Sequence, residues 1–398
     1  SDYFRRFNMQ IGIDKLAFAT PTRYLEMASL AQARSQDPNK YIKGLGQEAM
    51  AVPEESDDAV SLAANAGDLI LSEADKAAID MVIVGTESGV DQSKSAASWV
   101  HDLLGINPHA RSLEIKQACY GATAGLKLAV AHLALNPDSK VLVIGSDIAK
   151  YGLETGGEPT QGAGAVAILV SRDPAIAVVN NDSAMLTQNI ADFWRPNYSD
   201  YAHVDGKFSN QAYLSNLAEV WRQYKIKNQL SAKDFKAMVF HSPYTKMGKK
   251  ALLKLGDFED QEEIDRLLAY YEPGRYYNKR VGNIYTGSLY LSLISLLDQA
   301  SDLEAGDRIG LYSYGSGAVG EFFSIQLQPG FKESLQQVDF DQVVNQRSAL
   351  EMDSYQDLLT FSLPQDGQTY TTDKSHQVPG RFVLDRVADH IRYYRRLA

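Results

Sequence analysis

The sequence has one cysteine in 398 residues, so no internal disulfide can form, and a reduced, cytoplasmic setting is the simple reading. Long apolar runs are missing too. None reaches the ~20 residues that a bilayer-spanning helix needs. The most apolar helical stretch, Leu126 to Leu135, is broken by Lys127 and His132. No secretory signal and no membrane association are expected. Positive charge is in deficit: 39 Lys and Arg face 50 Asp and Glu, for a net charge of -11. That excludes a general nucleic-acid binder, which needs a broad basic surface. It leaves room for an anionic small molecule, because a local lysine cluster can bind one. The seven histidines show no HxxxH or HExxH spacing, so no zinc site, and no metal of any kind, is expected.

What is present is an ordinary globular composition, 44% hydrophobic and 22% charged, long enough for two domains or one large two-part domain. Short β-branched runs predict strands at 81–84, 141–144, 163–170, 238–240, 308–312 and 322–327. Their continuous apolar character suits strands buried on both faces. Helical patterns lie between them, at 93–104, 122–135, 214–225 and 288–298. Such alternation predicts an α/β protein. Ser1 to Asn8 precede the regular pattern and read as a tail or an expression remnant.

The order of pieces occurs twice. A strand, a small-residue helix and two further strands make up each half, the helices beginning near ACYGATAG (118–125) and GNIYTGSL (282–289). Glu87 and His241 then fall just beyond corresponding strands, and Cys119 and Asn283 at corresponding helix starts. Ligands of open α/β sheets bind beyond strand ends at such junctions.

Each of these residues has a structural reading beside a chemical one. Cys119 alone fits a buried structural cysteine, the commoner state; at a helix N-terminus its thiol pKa would fall and the thiolate become a nucleophile. Glu87 fits a carboxylate stabilising the start of a helix, or a base. His241, directly after a strand, is placed to act as acid or base; of the other six histidines only His203 is a candidate pocket residue. Asn283 fits an N-cap or an oxyanion donor. Lys246, Lys249 and Lys250 form a solvated helix face or a phosphate contact. The glycine-rich segments 155–165 and 313–321 lack the phosphate-loop pattern and read as tight turns.

The segments MVIVGTES, EIKQACYGAT, GGEPTQGAGAVA, DFWRP, FHSPYTKMGKKAL and VGNIYTGSLYLSLISLL together carry a resemblance. From about Met9 to the C-terminus the chain resembles the bacterial 3-hydroxy-3-methylglutaryl-CoA synthases of the thiolase superfamily. The resemblance implies a five-layer αβαβα fold of two pseudo-symmetric halves, 9–174 and 175–398, the second with a polar extension. It implies a homodimer with no cofactor, whose substrates are acetyl-CoA and acetoacetyl-CoA. It implies that Cys119 takes the acetyl group, that Glu87 removes a methyl proton, and that His241 positions the acetoacetyl-CoA carbonyl. Asn283 and Ser316 would lie near the second substrate, Tyr151 and Phe193 on the pocket wall, and Lys246 with Lys249 or Lys250 near the CoA phosphates.

Three other readings compete. A β-ketoacyl-acyl-carrier-protein synthase III would use Cys119, His241 and Asn283, but decarboxylative condensation needs no base such as Glu87. A polyketide β-branching synthase would act on a carrier protein. An inactive thiolase-fold scaffold would not need Cys119, Glu87 and His241 together.

Overall fold

The structure is a computed structural model that describes residues 9–398; the octapeptide Ser1 to Asn8 lies outside the described residues. Ten strands hydrogen-bond into one mixed sheet. In chain order they are β1 (Ile11–Ala19), β2 (Ile79–Gly85), β3 (Arg111–Ile115), β4 (Lys140–Ala149) and β5 (Gly162–Arg172), then β6 (Ala177–Val179), β7 (Ala184–Thr187), β8 (Ala237–Phe240), β9 (Arg308–Gly315) and β10 (Val319–Leu327). All six apolar runs of the sequence are strands. They are buried on both faces as expected, because helices cover each side.

The repeat is visible in the strand order β8-β9-β10-β6-β1-β5-β4-β2-β3, with β7 attached to β10. In one half β2 and β4 are parallel and β4 and β5 antiparallel. In the other, β8 and β9 are parallel and β9 and β10 antiparallel. Only Gly12↔Val178 and Ile13↔Ala177 join β1 to β6 across the middle. A Cβ on Gly12 would lie 2.0 Å from the Ala177 carbonyl oxygen, so the seam requires glycine.

Helix α1 (Ala59–Asp68) packs on β4, β5 and β1, beside α2 (Ala96–Leu103). Helix α3 (Gly121–Leu135) packs on β2, β4 and β5 without touching α1, so the two cover opposite faces. In the second half α4 (Gly206–Asn228) packs on β10 and against α5 (Lys246–Leu255), while α6 (Ser288–Gln299) lies on β8 and β9. This is the layered thiolase-like arrangement. The most apolar helix, with 18 residues of mean hydropathy 1.3, is α3 with its lead-in, the inner helix of the first half.

Helix bounds depart from the sequence pattern in two informative places. Helix α2 starts at Ala96, capped by Ser95, and not at Ser93. Glu87 therefore sits in a loop and stabilises no helix start. Helix α4 runs from Gly206, capped by Asp205, to Asn228, well beyond the expected 214–225. Its first turn, GKFSN, is mostly polar, and the buried Ala212 and Tyr213 extend the apolar face only one turn before Leu214.

Candidate active site

The backbone converges where the two halves meet. At the end of β2, a Cβ on Gly85 would lie 2.6 Å from the Ala122 amide nitrogen and 2.9 Å from the Thr286 methyl group. Glycine there lets the start of α3 and the 283–287 turn approach the strand end, which brings Cys119 to the junction. Ala118, immediately before it, has φ 43°, a left-handed conformation unusual for alanine. The Thr286 hydroxyl, whose proton goes to Asp147, lies 3.2 Å from the Ala118 carbonyl at this bend.

Cys119 is 9% exposed and packs with Ala149, Tyr285, Tyr151 and Phe193. Its Sγ lies 4.0 Å from Glu87 Oε2. The expectation of a lowered thiol pKa is not met. Burial pushes the thiol up, and the carboxylates of Glu87, Asp147 and Asp192 push it further. Glu87 is also raised well above the ordinary carboxylate range, by burial first and by Asp147 second, with Arg195 opposing. Each group therefore favours its protonated form, and the pair titrates jointly.

A cavity of about 530 Å³ opens over the sulfur. Cys119, Tyr151, Phe193, His241, Asn283 and Ser316, all named from the sequence, line it, together with Tyr285 and His203. Glu87 does not. It lines a neighbouring cavity that shares Tyr285 and Ala202 with the first, and its carboxyl lies 4.0 Å from the same sulfur.

His241 follows β8 and is 3% exposed. Its backbone is fixed at both ends: N–H to the Tyr312 carbonyl at 2.8 Å, and C=O from the Tyr213 hydroxyl at 2.8 Å. Nδ1 has no hydrogen-bond partner. Burial lowers its pKa to about 3, so the ring is neutral at physiological pH. Asn283, 2% exposed, accepts the Tyr285 N–H at 2.8 Å and the Ser288 hydroxyl at 3.0 Å on its side-chain oxygen. It thus caps the following turn, and its amide NH₂ is turned toward the Tyr151 side chain on the cavity wall.

Tyr151, Phe193 and Tyr285 meet edge to face, with ring centroids 5.6 to 6.3 Å apart. Gln161 fixes the first of these by accepting the Tyr151 and Gly152 N–H groups at 2.8 and 3.1 Å. His203 stacks on Trp194, centroids 5.6 Å apart, and closes the cavity edge. Lys246, Lys249 and Lys250 sit beside the cavity and not on its wall; Tyr244 and Met247 of the same segment line it. Lys250 Nζ donates to the Tyr244 hydroxyl at 2.8 Å and Lys246 Nζ to the Lys43 carbonyl at 3.3 Å. Among the described residues, no cluster of three or more His, Cys, Asp or Glu side chains is arranged to hold a metal ion.

The sequence reading missed three site residues. Asp147, fully buried, accepts the Thr86 hydroxyl at 2.8 Å and the Glu87 and Ser88 N–H groups at 2.8 and 2.9 Å on one oxygen. Its other oxygen takes the Thr286 N–H at 3.1 Å and the Thr286 hydroxyl. Asp192 accepts the Tyr314 hydroxyl at 2.7 Å and the Gly317 N–H at 2.9 Å, placing its neighbour Phe193. Tyr285 has φ 44° and a buried hydroxyl that makes no hydrogen bond of ordinary geometry, with the Tyr151 side chain as its weak polar neighbour. Asp192 and Tyr285 stood beside residues already singled out. Asp147 had no local signal.

The family model described as hydroxymethylglutaryl-coenzyme A synthase N terminal matches residues 7–175, and its C-terminal counterpart matches 177–272 and 269–397. The chain belongs to the hydroxymethylglutaryl-CoA synthase family. It is 50% identical over 387 residues to the hydroxymethylglutaryl-CoA synthase of Enterococcus faecalis, across 97% of this chain and 100% of that protein. It is 31% identical over 422 residues to a polyketide biosynthesis 3-hydroxy-3-methylglutaryl-ACP synthase of Bacillus subtilis, across 96% and 98% of the two chains. A crystal structure of an HMG-CoA synthase complexed with CoA superposes with a TM-score of 0.94 at 43% identity, covering 98% of this chain and all of that one. A synthase in complex with 3-hydroxy-3-methylglutaryl coenzyme A gives 0.90 at 35%, with the same coverage. As a hydroxymethylglutaryl-CoA synthase the chain is a condensing acyltransferase. The carrier-protein and scaffold readings give way to the CoA one, and so does the synthase III reading.

Proposed function

We propose that the chain condenses acetyl-CoA, acetoacetyl-CoA and water to 3-hydroxy-3-methylglutaryl-CoA and CoA, with Cys119 carrying the acetyl group. The observation that carries this is the 4.0 Å separation of Cys119 Sγ from the Glu87 carboxyl, beside a cavity into which His241 and Asn283 face. Cys119 attacks the acetyl thioester, and CoA leaves with the proton the thiol gives up. The raised thiol pKa makes that proton transfer part of the step, since little thiolate is present beforehand.

Glu87, once ionised, takes a proton from the acetyl methyl group, which a thioester makes acidic enough for a carboxylate in a water-poor site. The carbanion then attacks the ketone of acetoacetyl-CoA, and the alkoxide so formed takes up the proton that Glu87 removed, which leaves Glu87 ionised again. His241 is neutral, so it polarises that ketone as a hydrogen-bond donor and not as a cation. The Asn283 NH₂ is the second donor toward the bound carbonyl groups. Tyr151, Phe193 and Tyr285 exclude water around the two-carbon unit. Hydrolysis of the thioester frees Cys119.

Lys246, Lys249 and Lys250 are the proposed contacts of the CoA phosphates. They crowd the first turn of α5, where cations cost about 0.3–1 kcal/mol against the helix dipole and anions are favoured. None has a carboxylate in ion-pair range among the described residues. The working unit is a homodimer in the cytoplasm, with β3 as the pairing edge. That strand ends the sheet with one side unpaired, and it is the least buried strand of its half.

Intact-protein mass spectrometry tests the reading. Acetyl-CoA alone adds one acetyl group to Cys119, and acetoacetyl-CoA then removes it. A Cys119→Ser protein that still turns over, or an adduct on another residue, would sink the assignment.

A further inference from the structure

Hydrolysis of the last acyl-enzyme consumes one water per turnover and liberates one proton, because the new carboxyl group ionises. At that moment the product is still a CoA thioester and fills the cavity over the sulfur. Water must then arrive, and the proton must leave, by another path.

A second cavity, also about 530 Å³, is lined by Glu87. Tyr285 and Ala202 separate it from the first and line both. Its walls differ in kind. Glu54, Asp57, Asp58 and Asp200 line it with Glu87, together with Lys150, Arg195 and Arg392. On its wall Glu54 is 7% exposed, and Oε1 has no hydrogen-bond partner. The nearest cation, Arg23 Nη1, is 3.6 Å away, beyond hydrogen-bond range. A buried carboxylate oxygen left open toward a polar cavity is a place for ordered water. Burial and the neighbouring Asp57 raise Glu54 to about 7, so it can take and release a proton near neutrality.

We propose that the second cavity delivers the hydrolytic water to the acyl–sulfur bond and carries the released proton out along its carboxylates, with Glu54 as the receiving group. The water oxygen bonds to the thioester carbon as Glu87 takes one of its protons. The carbon–sulfur bond breaks, and that proton returns to the Cys119 thiolate. The second water proton leaves the new carboxylic acid by way of Glu54. The inference rests on the proposed acyl transfer to Cys119 and adds a route that transfer does not need.

Two full-length variants test it by rapid quench and intact mass: Ser362→Trp, an exposed position on the cavity rim, and Glu54→Gln. Acetylation of Cys119 by acetyl-CoA should stay within about twofold of wild type in both, while decay of the hydroxymethylglutaryl adduct slows about tenfold or more and the adduct accumulates. Adduct decay within about twofold of wild type in both variants would overturn the route, as would equal loss of acetylation and hydrolysis. Absence of any adduct on wild-type Cys119 would instead overturn the underlying acyl-transfer reading, and the route with it.

Discussion

The buried carboxylate of Asp147 accepts the backbone N–H of Glu87 at 2.8 Å, so one acid holds the other's loop from behind while its charge raises the other's pKa. Asp147→Asn would turn an NH₂ toward donors that now find an oxygen. The expected cost is about 1–3 kcal/mol in stability. The raising charge on Glu87 is lost as well, so the acid limb of the condensation profile should move to lower pH. A pH–kcat profile with an unmoved acid limb would refute the coupling.

Glu87 gives a pH signature of opposite sign to an ion-paired acid. Its pKa is raised in the folded protein, so between the ordinary carboxylate value and the folded one the native state holds the extra proton. Stability from this group is therefore full at low pH and lost as pH rises through that window. Glu87→Gln should be more stable than wild type at pH 8, with no such gain at pH 4, and should condense poorly at either. Denaturant titrations at the two pH values check the first part; equal differences at both would exclude it.

His241 runs the other way. Its pKa falls to about 3 on folding, so unfolding takes up a proton at any pH between there and the ordinary histidine value near 6.5. That costs stability as pH falls, by about 1.4 kcal/mol per pH unit. His241→Asn should flatten the slope between pH 6 and 4, and turnover should drop by about a hundredfold or more. An unchanged slope would mean that the ring is not neutral in the folded protein.

The Tyr285 hydroxyl is buried with only the Tyr151 side chain as a weak neighbour and no hydrogen bond of ordinary geometry, so Tyr285→Phe should leave the melting temperature close to wild type. If the hydroxyl meets a bound acyl oxygen, kcat/KM should nonetheless fall about tenfold. A large drop in melting temperature would show that the hydroxyl has a partner inside the protein.

Replacing both Lys246 and Lys249 by Ala should raise KM for acetyl-CoA about tenfold and leave kcat near wild type. The same variant should handle an acetyl thioester of pantetheine, which has no phosphates, as the wild type does. Equal losses on both thioesters would place these lysines elsewhere in the mechanism.

The fold was legible because each half writes its core as β-branched runs and small-residue helices, which local periodicity reports. The sequence also determined the reactive groups it could name from local position: Cys119 and Asn283 near helix starts, and His241 after a strand. Tertiary structure decided what those groups are chemically. The Cys119 thiol is raised first by its burial and then by the charges of Glu87, Asp147 and Asp192, residues far apart along the chain. The Asp147 link from the Glu87 loop to Thr286, and the 4.0 Å approach of the Glu87 carboxyl to Cys119, likewise depend on strand ends meeting across the sheet. Periodicity is a local property and a pKa is a property of surroundings, so the chain alone fixed which groups are present and only the packed protein set their charge.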